Sequence, residues 1–474
     1  MSSWVVDMEK KLDDAELPAK VEKWQKHCIF RIPLRFKMVD GRVNNVYKPR
    51  TVSLGPFHHD DKGLKSMEEH KLRAVHHLLG RGSCKTTLAE LVVAVEEVAD
   101  EMEDAYMDLG DEWRGEENRG KFLEMMIMDG CFLLEVMRTA STLGKKGSNP
   151  TGDYAHSDPI FSRHGIQHVK PFIQRDMLMV ENQLPLRLLE RIIAVESGTP
   201  PGATSINSMV LKFLEGKDAP EGTNLGLHPL DIYRMSLLKA GTRTMGDEQV
   251  PRNPQGSDRG VETVTTHLPH PTEPPPRVVP RSAWKLSEAG IRFMPSETSC
   301  LDDINMNNGR LNMPKVQLDD STSYRFHNMM AFEAMHVGTR NDVTAYVLFV
   351  KDLVDSAEDV RLLVKKRVLE HDLADNDDAV VRLFNDLSRD VYKNGESQLC
   401  RVRDDVEHHY RSNRPRVIMY ESWAYLKSKY FRSPWTVLAL VTAILLVVGD
   451  IVQAVYAVMS YDPNDPDKAK PKTH

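Results

Sequence analysis

The sequence predicts a mainly α-helical globular body with a few short strands, followed by one C-terminal transmembrane helix. Two observations lead there: apolar residues recur at helical spacing through most of the chain, and residues 435–459 form one long apolar run. The totals agree with a folded body. A chain of 474 residues with a 41% apolar fraction can bury one large core or two medium ones. The 62 Lys and Arg against 69 Asp and Glu leave a net charge of −7, without the basic excess of a nucleic-acid binder, so no nucleic-acid partner is expected.

Taken in order, residues 1–20 read as an N-terminal segment whose apolar stretch is too short for a secretory signal. The first part of the body covers 21–241. Residues 21–60 mix Pro and Gly into an irregular or extended path that ends in a turn at Gly55 and Pro56. A helix follows from Leu64, marked by Met67, Lys71, Ala74 and Leu78. A second carries Leu88, Leu91, Val92, Val95, Val98 and Met102 at helical spacing, with an acidic face from Glu96 to Asp104. A third is expected over Lys121–Thr139, and a Gly- and Pro-rich loop over 144–159. A fourth spans Gln174–Glu196, and a short one Ser205–Glu215.

Eight prolines fall between Pro251 and Pro280, and 242–281 reads as a disordered, partly polyproline linker or insertion. The second part of the body covers 282–432. It has a short helix ending at Gly290, strand-like pieces after it and at 311–318, and helices near 324–337, 341–356, 358–370 and 376–394. A long helix over 400–432, broken at Pro415, leads to the anchor.

The anchor, 433–460, has Trp435, Leu438, Leu440, Ile444, Leu445, Leu446 and Ile451 in its apolar run and Tyr461 at its far interface. Residues 435–459 reach roughly 37 Å as a helix, against a hydrocarbon core of ~30 Å. A polar tail, 461–474, follows. With no leader, the expectation is a single-pass protein that contacts lipid through this helix, its body in the cytosol at the plasma membrane or an endomembrane. Asp450 sits inside the span, with Gln453 on the same face. It is either a protonated acid tolerated alone or a helix–helix contact with a second copy or a partner span.

Five cysteines, Cys28, Cys84, Cys131, Cys300 and Cys400, are scattered and odd in number, which excludes a disulfide framework and a CxxC knuckle. The stretch Gly80–Thr86 lacks the Gly before Lys85 that a phosphate loop needs. His58, His59, Asp60 and His70 match no metal-ligand spacing, and adjacent histidines point apart. Asp176, Glu181 and Asn182 stand among apolar neighbours, where buried hydrogen bonds or caps are their expected use. No catalytic set emerges, and no metal or cofactor is implied.

Several segments together resemble the plant family known as "domain of unknown function 247". They are IFRIP at 29–33, YKPRTVSLGPFHH at 47–59, MEEHK at 67–71, MIMDGCFLLE at 126–135, RDMLMVENQLPLRLLE at 175–190, EAGIRF at 288–293, FHNMMAFE at 326–333, DVRLLVKK at 359–366 and VRLFNDL at 381–387, with the C-terminal anchor. The resemblance covers nearly the whole chain in order. Carried onto these motifs, Gly55, Pro56, His58, His59, Glu68, His70, Lys71, Asp129, Gly130, Asp176, Glu181, Asn182, Gln183, Pro185 and Glu333 are the family positions, with structural roles. The resemblance implies a helical plant protein without an assigned enzyme activity. It also implies a link, in some grass members, to pollen-side self-incompatibility. Three readings follow: a membrane-tethered interaction or signalling protein with protein partners, a recognition determinant of that kind, or an enzyme with a site around His58, His59, Asp129, Asp176 and Glu181.

Overall fold

A computed structural model describes residues 3–13, 23–39, 42–43, 45–81, 86–143, 154–238, 281–373, 376–389, 391, 398–413 and 434–459. In chain order the elements are α1 (Ser3–Asp13), α2 (Leu34–Lys37), β1 (Met38–Val39), β2 (Arg42–Val43), α3 (Glu68–Arg81), α4 (Leu88–Glu96) and α5 (Ala99–Ala105). Next come α6 (Glu116–Ser141), α7 (Arg163–Asp176), α8 (Leu186–Ser197), α9 (Ala203–Glu215) and α10 (Pro229–Ser236). Then follow α11 (Ala283–Glu288), β3 (Arg292–Pro295), β4 (Asn305–Asn307), β5 (Arg310–Met313), β6 (Val316–Leu318), α12 (Thr322–Met335) and α13 (Asp342–Leu353). The last are α14 (Ala357–Lys365), β7 (Leu369–His371), α15 (Asp377–Leu387), α16 (Gln398–Ser412) and α17 (Pro434–Met459). Two units divide the chain: Met1–Trp284 with Arg292–Val406, and Lys285–Ile291 with Glu407–His474.

The first unit is built around α6. An apolar stripe on one face makes a surface helix, whereas apolar residues all round make a buried one. Phe122, Met126, Phe132, Leu133, Leu134 and Val136 point to different sides of α6, and all are buried. Helices α3, α7, α8 and α9 pack against it, and α4 lies against α6 and α8. Gly130 allows one of these approaches: a Cβ there would sit 2.6 Å from Ile192 and 3.0 Å from Leu188 of α8. Further along, α12 packs on α10 and α13, and α15 on α13 and α14.

The strands are short. Strand β5 pairs parallel to β3 and antiparallel to β4, with Phe293 opposite Leu311. Strand β6 runs parallel to β7, with Val316 opposite Leu369. Local signals set several starts. Thr87 and Glu90 form a capping box on α4, and Ser356 and Asp359 form one on α14.

The mainly helical expectation holds in the body, with four corrections. The run from Leu88 to Met102 breaks at Glu97–Val98 into α4 and α5, although its apolar period continues. The helix expected over Gln174–Glu196 is two helices, because 177–185 is irregular: turn bonds such as Asn182 N–H to Met179 O replace the helical ladder, and the Asn182 and Gln183 side chains bond the carbonyls of Asp176, Met177 and Met179. The helix expected over 358–370 stops at Lys365, where Arg367 turns to φ 59° and the chain enters β7. Helices α7 and α10 add to the expected set.

The fourth correction is the transmembrane helix of the expected fold class. Helix α17 runs Pro434–Met459, but its side chains are described only over 442–456. Among the described residues no helix is long and apolar enough to cross a membrane. Ile444, Leu445, Leu446, Asp450, Ile451 and Gln453 are exposed on α17. Tyr461, the tail 461–474, nearly all of the 242–281 stretch and the flank 414–433 lie outside the described residues, and the side chains of Trp435, Leu438 and Leu440 are not described.

Candidate functional site

Residues 50–55, Arg-Thr-Val-Ser-Leu-Gly, follow an irregular path through the first unit, outside any helix or strand. Buried backbone N–H groups need acceptors, and here side chains supply them. Asp176, the last residue of α7, accepts from the N–H of Arg50 (3.0 Å), Thr51 (2.6 Å) and Val52 (3.0 Å). Asn182 accepts from Leu54 N–H at 2.7 Å and donates to Val52 O at 3.1 Å. Asp129 of α6 accepts from Gly55 N–H at 2.7 Å. Three family motifs, at 47–59, 126–135 and 175–190, thus meet on one segment.

Gly55 has φ 76°, and a Cβ there would meet Tyr106 Oη at 2.6 Å and Gln183 O at 2.9 Å. The position therefore requires glycine for both its backbone angle and its space. Pro56 then starts a short 3-10 turn, Pro56–His58. At its end His58 donates to Glu181 at 3.2 Å, while Glu181 also accepts from Ile32 N–H and pairs with Lys37 at 2.6 Å. His59 stands edge-on to Trp113. Pro185 caps the start of α8, and the Gln183 amide joins Met177, Met179 and Leu230.

The buried charge at the centre is Lys71. Its ammonium lies 2.6 Å from Asp129, 2.7 Å from Glu68 and 3.0 Å from Ser53 Oγ. A serine hydroxyl beside a lysine has the makings of a nucleophile and base. That chemistry needs a lysine able to lose its proton. Burial works against the charge on Lys71, but attraction to Asp129 and Glu68 outweighs it and holds the pKa above its ordinary value. Lys71 therefore stays an ammonium and acts as a donor to the loop. The other carboxylates diverge for similar reasons. Burial raises Asp176 despite its three N–H donors, whereas in Glu181 the bonds from His58 and Lys37 overcome burial and lower it.

The enzyme grouping of His58, His59, Asp129, Asp176 and Glu181 does line a common segment. Its three carboxylates each accept backbone N–H bonds, from Gly55, from Arg50–Val52 and from Ile32. His70, on α3, accepts from Arg73 at its rim. Among the described residues no group of His, Cys, Asp or Glu has the arrangement of a metal site.

A second polar hub was marked in the sequence only by Glu333. Arg234 of α10, buried, pairs with Glu333 of α12 at 2.8 Å and donates to Arg340 O at 2.6 Å. Glu333 accepts in turn from the N–H groups of Val343 and Thr344 at the start of α13. Asn328 accepts from Val180 N–H and donates to Val46 O. A charged or amide residue inside an apolar run, as in LDIYRMSLL, was the available signal.

His228 has a testable consequence. It accepts Asp231 N–H at one ring nitrogen, and the other lies 3.0 Å from Cys28 O, as a neutral ring would. Burial, reinforced by His336, lowers its pKa from 6.5 to about 3. The unfolded chain therefore takes up a proton below pH 6.5 that the folded chain refuses, and stability drops as pH falls. Between about pH 7.5 and about pH 5 this group removes ~2 kcal/mol, at ~1.4 kcal/mol per unit. Urea unfolding should show a shallower acid loss in His228→Gln by that amount. Equal slopes would refute the assignment.

A helical body whose motif loop is held by buried side chain–backbone bonds defines a structural, clasp-like class of site. The chain belongs to the family described as plant protein of unknown function, whose model matches residues 29–449. It is 27% identical over 455 residues to the UPF0481 protein At3g47200 of Arabidopsis thaliana, covering 92% of this chain and 87% of that one. It is also similar to the putative UPF0481 protein At3g02645 of Arabidopsis thaliana, at 23% identity over 523 residues, 94% of this chain and 92% of the other. No solved structure matches.

Proposed function

We propose that this chain is a non-enzymatic protein-interaction component, with the α4 face as its contact surface. One observation carries the reading. Helix α4 buries Leu91 and Val95 but leaves Leu88 and Val93 more than half exposed, with Val92 beside them. A helix this apolar with a bare side is the usual mark of a partner surface. The clasp supports the same reading, since its carboxylates are engaged with backbone and cations and make the body a stiff frame. The partner is a protein presenting an apolar face of its own.

Proximity labelling in plant tissue with the tagged full chain tests this. Leu88→Asp with Val93→Asp, both at exposed positions, should remove a defined set of labelled proteins while thermal unfolding stays within ~0.5 kcal/mol of the parent. An unchanged labelled set would sink the proposal.

A further inference from the structure

Away from the clasp and from the α4 face, a cavity of about 430 Å³ opens between the C-terminal end of α6, the middle of α7 and the outer side of α9. This falls within the ~300–1,000 Å³ range of small-ligand sites. Its lining separates into two chemistries. Met137, Met209 and Phe213 give it an apolar floor, with Met137 and Phe213 themselves buried. Arg138, Lys170 and Lys212 supply three cations, and no carboxylate is part of the lining.

The three cations are not equivalent. Arg138 is held by Glu196 at 2.5 Å and by Glu135, so its charge is answered and it forms a fixed wall. Lys170 Nζ lies 5.5 Å from the centre of the Phe213 ring, and among the described residues no carboxylate pairs with it. Lys212 pairs with Asp218, but both side chains are more than half exposed. Such a surface pair contributes ~0–1 kcal/mol and yields readily to a better anion. Ser208 accepts Ala219 N–H and keeps its own hydroxyl hydrogen to give, and Ser205 stands exposed on the same helix turn.

We propose that this cavity binds a small amphipathic organic anion. Its apolar body lies on the Phe213–Met209 floor, and its single acidic headgroup sits between Lys170 and Lys212. An inorganic anion would leave the floor wet, and a neutral apolar molecule would leave the two ammonium groups unanswered. The site shares no residue with the α4 surface, so it stands or falls separately from that reading.

Isothermal titration of the full chain with naphthalene-1-sulfonate, naphthalene-1-methanol and sodium sulfate tests both halves. The sulfonate should bind one per chain, at least tenfold tighter than the alcohol or sulfate. Lys170→Met and Lys212→Met should each weaken the sulfonate severalfold and leave the alcohol unchanged. Met209→Trp, which fills the floor, should weaken both organic probes. Equal affinity for the sulfonate and the alcohol, tight binding of sulfate alone, or no measurable sulfonate binding would overturn the proposal. So would sulfonate binding that both lysine variants leave intact, provided those variants melt like the parent.

Discussion

Lys71→Met is expected to cost about 3–5 kcal/mol, the typical loss when one member of a buried ion pair is removed. Lys71 and Asp129 are both essentially inaccessible to solvent and lie 2.6 Å apart. Methionine fills a similar length but leaves Asp129 with only the Gly55 N–H, and Glu68 with Ser53 alone. An uncompensated buried carboxylate must then either stay charged at high cost or take a proton. Its pKa rises, so the deficit of the variant should shrink as pH is lowered: a carboxyl with a raised folded pKa destabilises the fold fully above that pKa, and the loss fades as pH falls from there to its unfolded-state pKa. Lys71→Met with Asp129→Asn should recover part of the loss, because the Asn oxygen still accepts from Gly55. Urea unfolding of the single and double variants at two pH values measures this. A cost of less than ~1 kcal/mol for the single change would show that the ion pair does not hold the fold.

The second large effect is expected at Asp176. Asp176→Ala removes the acceptor for three successive N–H groups, of Arg50, Thr51 and Val52. Each orphaned donor costs ~1–3 kcal/mol according to its burial. Arg50 is exposed and water can replace its bond, whereas Val52 is fully buried, so the sum should be about 4 kcal/mol. Asp176→Asn keeps one acceptor oxygen and should lose about half as much. Hydrogen exchange gives the local readout: the amides of Thr51 and Val52 should lose protection in the alanine variant before the rest of the body opens. Uniform loss across all helices would mean that Asp176 acts through global stability and not through this loop.

The positions that form the clasp were visible in the chain, but their pairing was not. Asp176, Glu181 and Asn182 announce themselves because polar groups inside an apolar run must find partners. Which partners they find depends on long-range placement: Thr51 and Asp176 are 125 residues apart, and Ile32 and Glu181 are 149 apart. Ser53 went unremarked because a serine carries little pattern of its own. Arg234 was missed because no element was expected over the run around it, which folds as α10. The cavity was invisible as well: Arg138, Lys170 and Lys212 look like solvated charges on three separate helices until those helices pack.

Local chemistry in the sequence was enough to determine the helical character of the body, the turn at Gly55–Pro56 and, through its motifs, membership of the family. Each depends on neighbours within a few residues, by periodicity or backbone freedom. Tertiary structure decided the rest. In the irregular stretch 177–185 the Asn182 and Gln183 side chains bond the carbonyls of Asp176, Met177 and Met179, and apolar periodicity cannot register that choice when every face is buried. The apolar run at 435–459 read as a span on length and hydropathy, yet among the described residues no helix is long and apolar enough to cross a membrane. Lys71 became an ion-paired donor, and not a solvated lysine or a base, only when α6 brought Asp129 against α3. A side chain's charge state is set by what surrounds it in space.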